Sequence, residues 1–336
     1  MSRIAFAISC LALLGMHAGH SQVAAQDTKL PTGGRVTYML LVNGAVHDAV
    51  VKAANIEGHE SVNPPYVGTW HSFVQGLDQI QPGRLDPVER GDIDLMMIGT
   101  LMSYPNAEAW KNHLGPDDST LAGFAALGVK NNPKFRIVWQ TYVWPVGQTP
   151  KDGKKTLDVA ATKKRADQEP LKELEELADA INRIHGKQVV LISPVGEATI
   201  KLVKMVADNK FPGIADPADL WTEFNMHSNR HVLALTAYCN VATMYGITPV
   251  GLKPDFSKVT YGGSGKGPGL QSMEGITDEQ QAILQNIAWE TVSTYRHAGF
   301  PRAKDPESTP ANKMPAGLRV MNGGHIWAHP QFDSKR

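Results

Sequence analysis

The sequence predicts a three-layer α/β/α sandwich built on a mostly parallel sheet, and three observations carry that expectation. Short apolar, β-branched runs at 35–42, 94–98, 135–143 and 188–195 lack polar alternation, as strands covered on both faces do. Segments with helical spacing of apolar residues lie between them, so strands and helices alternate along the chain. Strand ends run into turns such as Asn43-Gly44 and Gly99-Thr100, which gathers polar loops at the carboxyl edge of the sheet, where such folds bind ligands.

The chain has 336 residues, 42% hydrophobic and 20% charged, enough for one large α/β domain or two small ones. Its 33 basic and 33 acidic side chains cancel, so nothing electrostatic favours nucleic acid or an anionic membrane surface. A small neutral substrate or a neutral glycan fits better. Arg3, the apolar run 4–16 and Val23-Ala24-Ala25 before Gln26 have the pattern of a secretory signal peptide over 1–25, and the run is too short to span a bilayer. A secreted or periplasmic protein is expected. Cys10 falls in that segment, which leaves Cys239 alone in an apolar helix as a buried structural thiol without a disulfide partner.

The first strand, 35–42, breaks at Asn43-Gly44. Ala45, Val46, Ala49, Val50, Ala53 and Ile56 then recur at helical spacing, with Gly58 as the stop. Residues 59–90 are rich in Pro, Gly and His and read as loop with a short strand and helix. Asp94 opens the next strand, Ser119 caps a helix over 120–129, and a strand over 135–143 follows. Lysines crowd 145–168, the mark of a solvated insertion. Pro170 then starts an amphipathic helix with Leu171, Leu174, Leu177, Ile181 and Ile184 on one stripe, leading to the strand 188–195. Beyond Gly251 the pattern weakens. Thr277 and Gln280 form a capping box for a helix to about 297, and the tail from Pro301 reads as surface-draped. Its end, Trp327-Ala328-His329-Pro330-Gln331-Phe332, resembles a streptavidin-binding tag and is left out of functional reasoning.

The chemistry centres on the loop 220–227, which sets Glu223 four residues before His227 and leads into a long apolar helix. An acid and a histidine there have the makings of a general base. This layout resembles the SGNH (GDSL-like) hydrolases, in particular secreted bacterial branches, over 35–252. Residues 253–336 form a C-terminal extension with one helix and a loop-rich tail. The resemblance implies a flavodoxin-like sandwich and an ester or acetyl-ester hydrolase acting on a glycan-like substrate, with no cofactor. It also implies His227 as base, Glu223 as its acid partner and Gly68 as an oxyanion glycine. A serine should follow the first strand, but the chain reads Asn43-Gly44-Ala45, so Ala45 stands at the nucleophile position. The asparagine block reads Ile98-Gly99-Thr100-Leu101, leaving Thr100 as its polar side chain. Ser72 and Ser103 are the other candidate nucleophiles. The competing expectation is a catalytically degenerate protein that binds a glycan or another ligand in the same cleft.

Other residues admit two readings each. His47 and Asp48 either line the cleft or form a solvated first helical turn with Asp48 favourable to the dipole. His231, four residues after His227, has the spacing of a zinc pair, yet no third ligand or intervening glutamate accompanies it, so no metal is expected. The glycine loop around Lys266 lacks the flanking pattern of a phosphate cradle. Trp70, Trp144 and Trp221 either stack on sugar rings or pack.

Overall fold

The computed structural model describes residues 33–40, 43–62, 85–99, 120–143, 145–148, 154–167, 171–222, 227–261 and 271–299. Its centre is a five-stranded sheet made of β1 (Arg35–Leu40), β2 (Glu60–Val62), β3 (Leu95–Gly99), β4 (Arg136–Gln140) and β7 (Val190–Ser193). The spatial order is β2-β1-β3-β4-β7 and each neighbouring pair is parallel. Counted within this sheet alone, the order is 2-1-3-4-5, the doubly wound arrangement whose direction of travel reverses between the first and third strands.

Eight helices are used below: α1 (Gly44–Ala53), α2 (Asp86–Glu89), α3 (Thr120–Asn131), α4 (Val159–Asp167), α5 (Leu171–His185), α6 (Val195–Ala207), α7 (Arg230–Tyr245) and α8 (Asp278–Thr294). They cover both faces, which explains why the strands show no polar alternation. Leu95 and Met97 of β3, Val138 of β4 and Leu191 of β7 enter one core with residues of α1, α6, α7 and α8. Met96, Ile98, Ile137, Trp139, Val190 and Ile192 point the other way, into a second core with α3 and α5. Alternate residues face opposite sides of a pleated strand, so two apolar layers need unbroken apolar runs. The predicted three-layer α/β architecture is the one observed.

Element ends differ from the sequence expectation by a few residues. The strand expected over 188–195 ends at Ser193 because α6 begins at once at Val195. There the Thr141 hydroxyl accepts from Gly196 N at 2.9 Å, so a side chain replaces the next rung of the ladder. The lysine-rich stretch is more structured than a plain solvated insertion. It holds a small antiparallel ribbon, β5 (Gly147–Gln148) with β6 (Thr156–Leu157), and then α4. Lys163 and Lys164 are exposed, whereas Thr162 is buried and accepts from Val146 N.

The capping box is present as read: Thr277 accepts from Gln280 N, and the Gln280 side chain accepts from Thr277 N. Behind it, α8 places Leu284, Ile287, Ala288 and Val292 in the same core as β1 and α1. No described helix is long and apolar enough to cross a membrane.

One glycine in α3 yields a test of the second core. A Cβ on Gly128 would lie 2.2 Å from the ring of Phe135, which is 1% exposed and has no room to yield. Gly128→Ala is therefore expected to cost about 1–3 kcal/mol through overpacking. Helix propensity alone favours alanine by about 0.5–1 kcal/mol, so a rise in the urea midpoint would refute the packing argument.

Candidate functional site

The strand order reverses between β1 and β3, the place beyond whose carboxyl ends sheets of this kind bind ligands, and the start of α1 lies there. Asn43 caps α1 with an extended backbone and accepts from Val46 N through its side chain. Gly44 comes next, and a Cβ there would sit 3.0 Å from the Tyr38 ring, so the turn hugs β1 closely. Ala45 is exposed on the first turn. It therefore occupies a solvent-facing place immediately after β1, and it carries only a methyl group.

His47, two residues on, is not solvated. It is 1% exposed and both ring nitrogens are engaged. Nδ1 lies 2.6 Å from the Asn43 carbonyl oxygen, an acceptor, so Nδ1 carries the proton. Nε2 then accepts from Asn240 Nδ2 at 2.7 Å, and that same amide donates to Gln140 Oε1 at 2.7 Å. Burial lowers the His47 pKa to about 4, against the opposing pull of the Asn43 carbonyl and Asp48. The ring is a neutral structural tie between α1, β4 and α7. Neither Gln140 nor Asn240 was identifiable from sequence, since one ends a strand and the other is a lone amide in an apolar helix.

A second polar cluster ties α1 to β1, β2 and α7. Asp48 Oδ1 receives Ser61 Oγ at 2.5 Å and Tyr38 OH at 3.3 Å, and lies 3.2 Å from His59 Nε2. His59 Nδ1 meets Tyr245 OH at 2.6 Å. Burial works to raise the Asp48 pKa, but the bonds from His59 and Ser61 and the nearby imidazoles hold it below the usual carboxylate value. Burial pushes both tyrosine hydroxyls upward. Although Ser, His and Asp meet here, the serine proton goes to the carboxylate rather than to the imidazole. That wiring does not activate a nucleophile.

His227 lies three residues before α7. Its carbonyl accepts from both Thr222 N and Thr222 Oγ1 at 2.8 Å, and Trp221 bridges Ser228 in antiparallel fashion. Asn229 N donates to the Leu220 carbonyl, and the Lys155 ammonium donates to the Trp221 carbonyl. Asn229 caps α7 by accepting from His231 N and Val232 N. The His227 side chain is half-buried beside this backbone pairing. Glu223, the acid that the resemblance implies for it, lies outside the described residues, as do Gly68, Thr100, Ser72, Ser103, Trp70, Trp144 and the loop around Lys266.

His231 is committed to structure. It is buried, with Nε2 3.2 Å from Gln280 Oε1 and Nδ1 3.3 Å from Asn229 Nδ2, and burial lowers its pKa. Among the described residues no group of three His, Cys, Asp or Glu side chains is placed to hold a metal ion. Cys239 is a buried free thiol whose pKa burial raises far above the ordinary value. Trp221 is wholly buried, so it packs.

No protein-family model matches the chain, and no curated protein matches it. Among solved structures, a DUF4886 family protein from Bacteroides uniformis is similar with a TM-score of 0.45 and 10% identity, over 78% of this chain and 95% of that one.

Proposed function

We propose that this chain is an exported SGNH-like α/β protein whose sheet edge beyond β1 and β3 binds a small ester- or glycan-like ligand without forming a serine ester. One observation carries this reading: Ala45 is exposed on the first turn after β1, where the resemblance calls for the attacking hydroxyl. A methyl group neither attacks a carbonyl nor accepts a proton shuttle, so covalent acyl transfer at this position has no nucleophile. The first N–H groups of a helix lack intrahelical acceptors; at the start of α1 Asn43 takes those of Val46 and His47, and the Gly44 and Ala45 N–H groups are the ones suited to a ligand's carbonyl or hydroxyl oxygen. His47 does not substitute as a base, because both of its nitrogens are spent inside the fold.

Turnover of p-nitrophenyl acetate tests the reading, using the exported fraction, whose intact mass is expected to lack residues 1–25. The native chain is expected to match its His227→Ala variant at the buffer rate. Ala45→Ser should raise the rate measurably, yet only in part, because a missing oxyanion donor alone costs about 100-fold or more. A native rate well above that of His227→Ala would overturn the binding reading and restore a hydrolase with another nucleophile.

A further inference from the structure

A cavity of about 320 Å³ opens beyond the carboxyl ends of β4 and β7, whereas the strand order reverses between β1 and β3. That volume is at the small end of ligand pockets, which span about 300–1,000 Å³. Its apolar wall comes from Val143, Ala166, Leu171 and Ile200. The remaining lining is Thr141, Gly196 and two acids, Glu197 on the first turn of α6 and Asp167 at the end of α4.

Glu197 is the unusual member. Its Oε2 is buried and has no hydrogen-bond partner, although an ionised carboxylate needs several. Thr141 offers little relief, since its hydroxyl already accepts from Gly196 N and is placed to give its one proton to the Ser193 carbonyl at 3.2 Å. The nearby Lys201 reaches toward Glu290, at 3.9 Å, and Asp167 pairs with Lys163 at 2.6 Å. Among the described residues no basic side chain lines the cavity. Burial raises the Glu197 pKa, aided by the Glu175 carboxylate and opposed by a backbone hydrogen bond, the Thr141 hydroxyl and Lys201. An uncompensated charge is costly there, and a cationic donor from outside offsets that cost.

We propose that this cavity is a binding site for a small aliphatic amine in its ammonium form, the nitrogen donating to Glu197 and the alkyl part lying against Val143, Leu171 and Ile200. The described lining disfavours anions, because both of its charged members are carboxylates. A neutral alcohol satisfies the donor requirement without neutralising the charge, so it ranks below the ammonium ion. The proposal is independent of the reading of Ala45.

Calorimetric titration of the full chain with n-butylammonium chloride, sodium butyrate and 1-butanol tests it. Butylammonium is expected to bind saturably, 1-butanol about tenfold or more weakly, and butyrate not at all. Glu197→Gln should weaken butylammonium about tenfold or more. Ile200→Trp, which fills the cavity from its apolar side without touching the carboxyl group, should abolish binding while the circular dichroism spectrum is kept. No saturable binding by the native chain, butyrate binding as well as butylammonium, or full affinity in folded Glu197→Gln or Ile200→Trp protein would each overturn the site.

Discussion

Trp221→Ala is expected to lower folding stability by about 3–5 kcal/mol, the usual cost of emptying a large aromatic site. Trp221 is wholly buried in the core that also holds residues of β1, α1, α6, α7 and α8, so its removal leaves a large cavity in that core. Trp221→Phe separates the packing from the polar part. The indole Nε1 is buried without a hydrogen-bond partner, and a buried unsatisfied donor costs about 1–3 kcal/mol. Phenylalanine discards that penalty while keeping most of the ring, so its net cost should stay under about 2 kcal/mol. Urea unfolding at constant m measures both. Equal losses in the two variants would show that packing does not anchor this turn.

The effect extends to the candidate site through the backbone. Trp221 bridges Ser228, and its carbonyl receives the Lys155 ammonium, so the indole anchors the backbone pairing next to His227. In the Ala variant the amide of Asn229, which donates to the Leu220 carbonyl, should exchange faster than the core amides of α7.

Sequence made the architecture legible because its strongest signals are local. Unbroken apolar runs mark strands covered twice, Asn43-Gly44 marks the N-terminal end of α1, and the Thr277–Gln280 pair marks that of α8; each depends on neighbours within a few residues. The candidate site was legible only where it follows from strand order. Ala45 must lie at the carboxyl edge once β1 is known, and it does. What His47 does was not legible, since a histidine on a first helical turn reads as solvated until a partner 193 residues away is known. Glu197 was passed over for the same reason. An acid one turn into a helix looks like an ordinary complement to the dipole, and only packing of α4 and α5 over the ends of β4 and β7 turns it into the polar wall of a cavity. Gln140 and Asn240 look like isolated exceptions in apolar segments, yet each is the other's partner.

Stability should fall as the pH drops from about 6.5 to about 4, with His47 the largest single cause. Its folded pKa is depressed, so the unfolded chain takes up a proton below about 6.5 while the folded chain stays neutral until about 4. The contribution is thus fully present above the unfolded pKa, shrinks through that window and is exhausted below it. The difference between about 6.5 and about 4, at about 1.4 kcal/mol per pH unit, gives a loss of about 3–4 kcal/mol. His231 is lowered by burial as well and adds to the same limb, as does the more exposed His185. Asp48, also depressed, releases its share only at lower pH, where carboxylates protonate. His47→Gln isolates the main term, because its amide oxygen can accept from Asn240 Nδ2 yet takes up no proton in this range. The variant should be less stable than the native chain at pH 7 and approach or pass it near pH 4, with a visibly flatter slope between. Urea midpoints across that range decide the matter: a slope unchanged in His47→Gln would assign the acid limb to other groups and refute the neutral, doubly bonded imidazole at the core of this site.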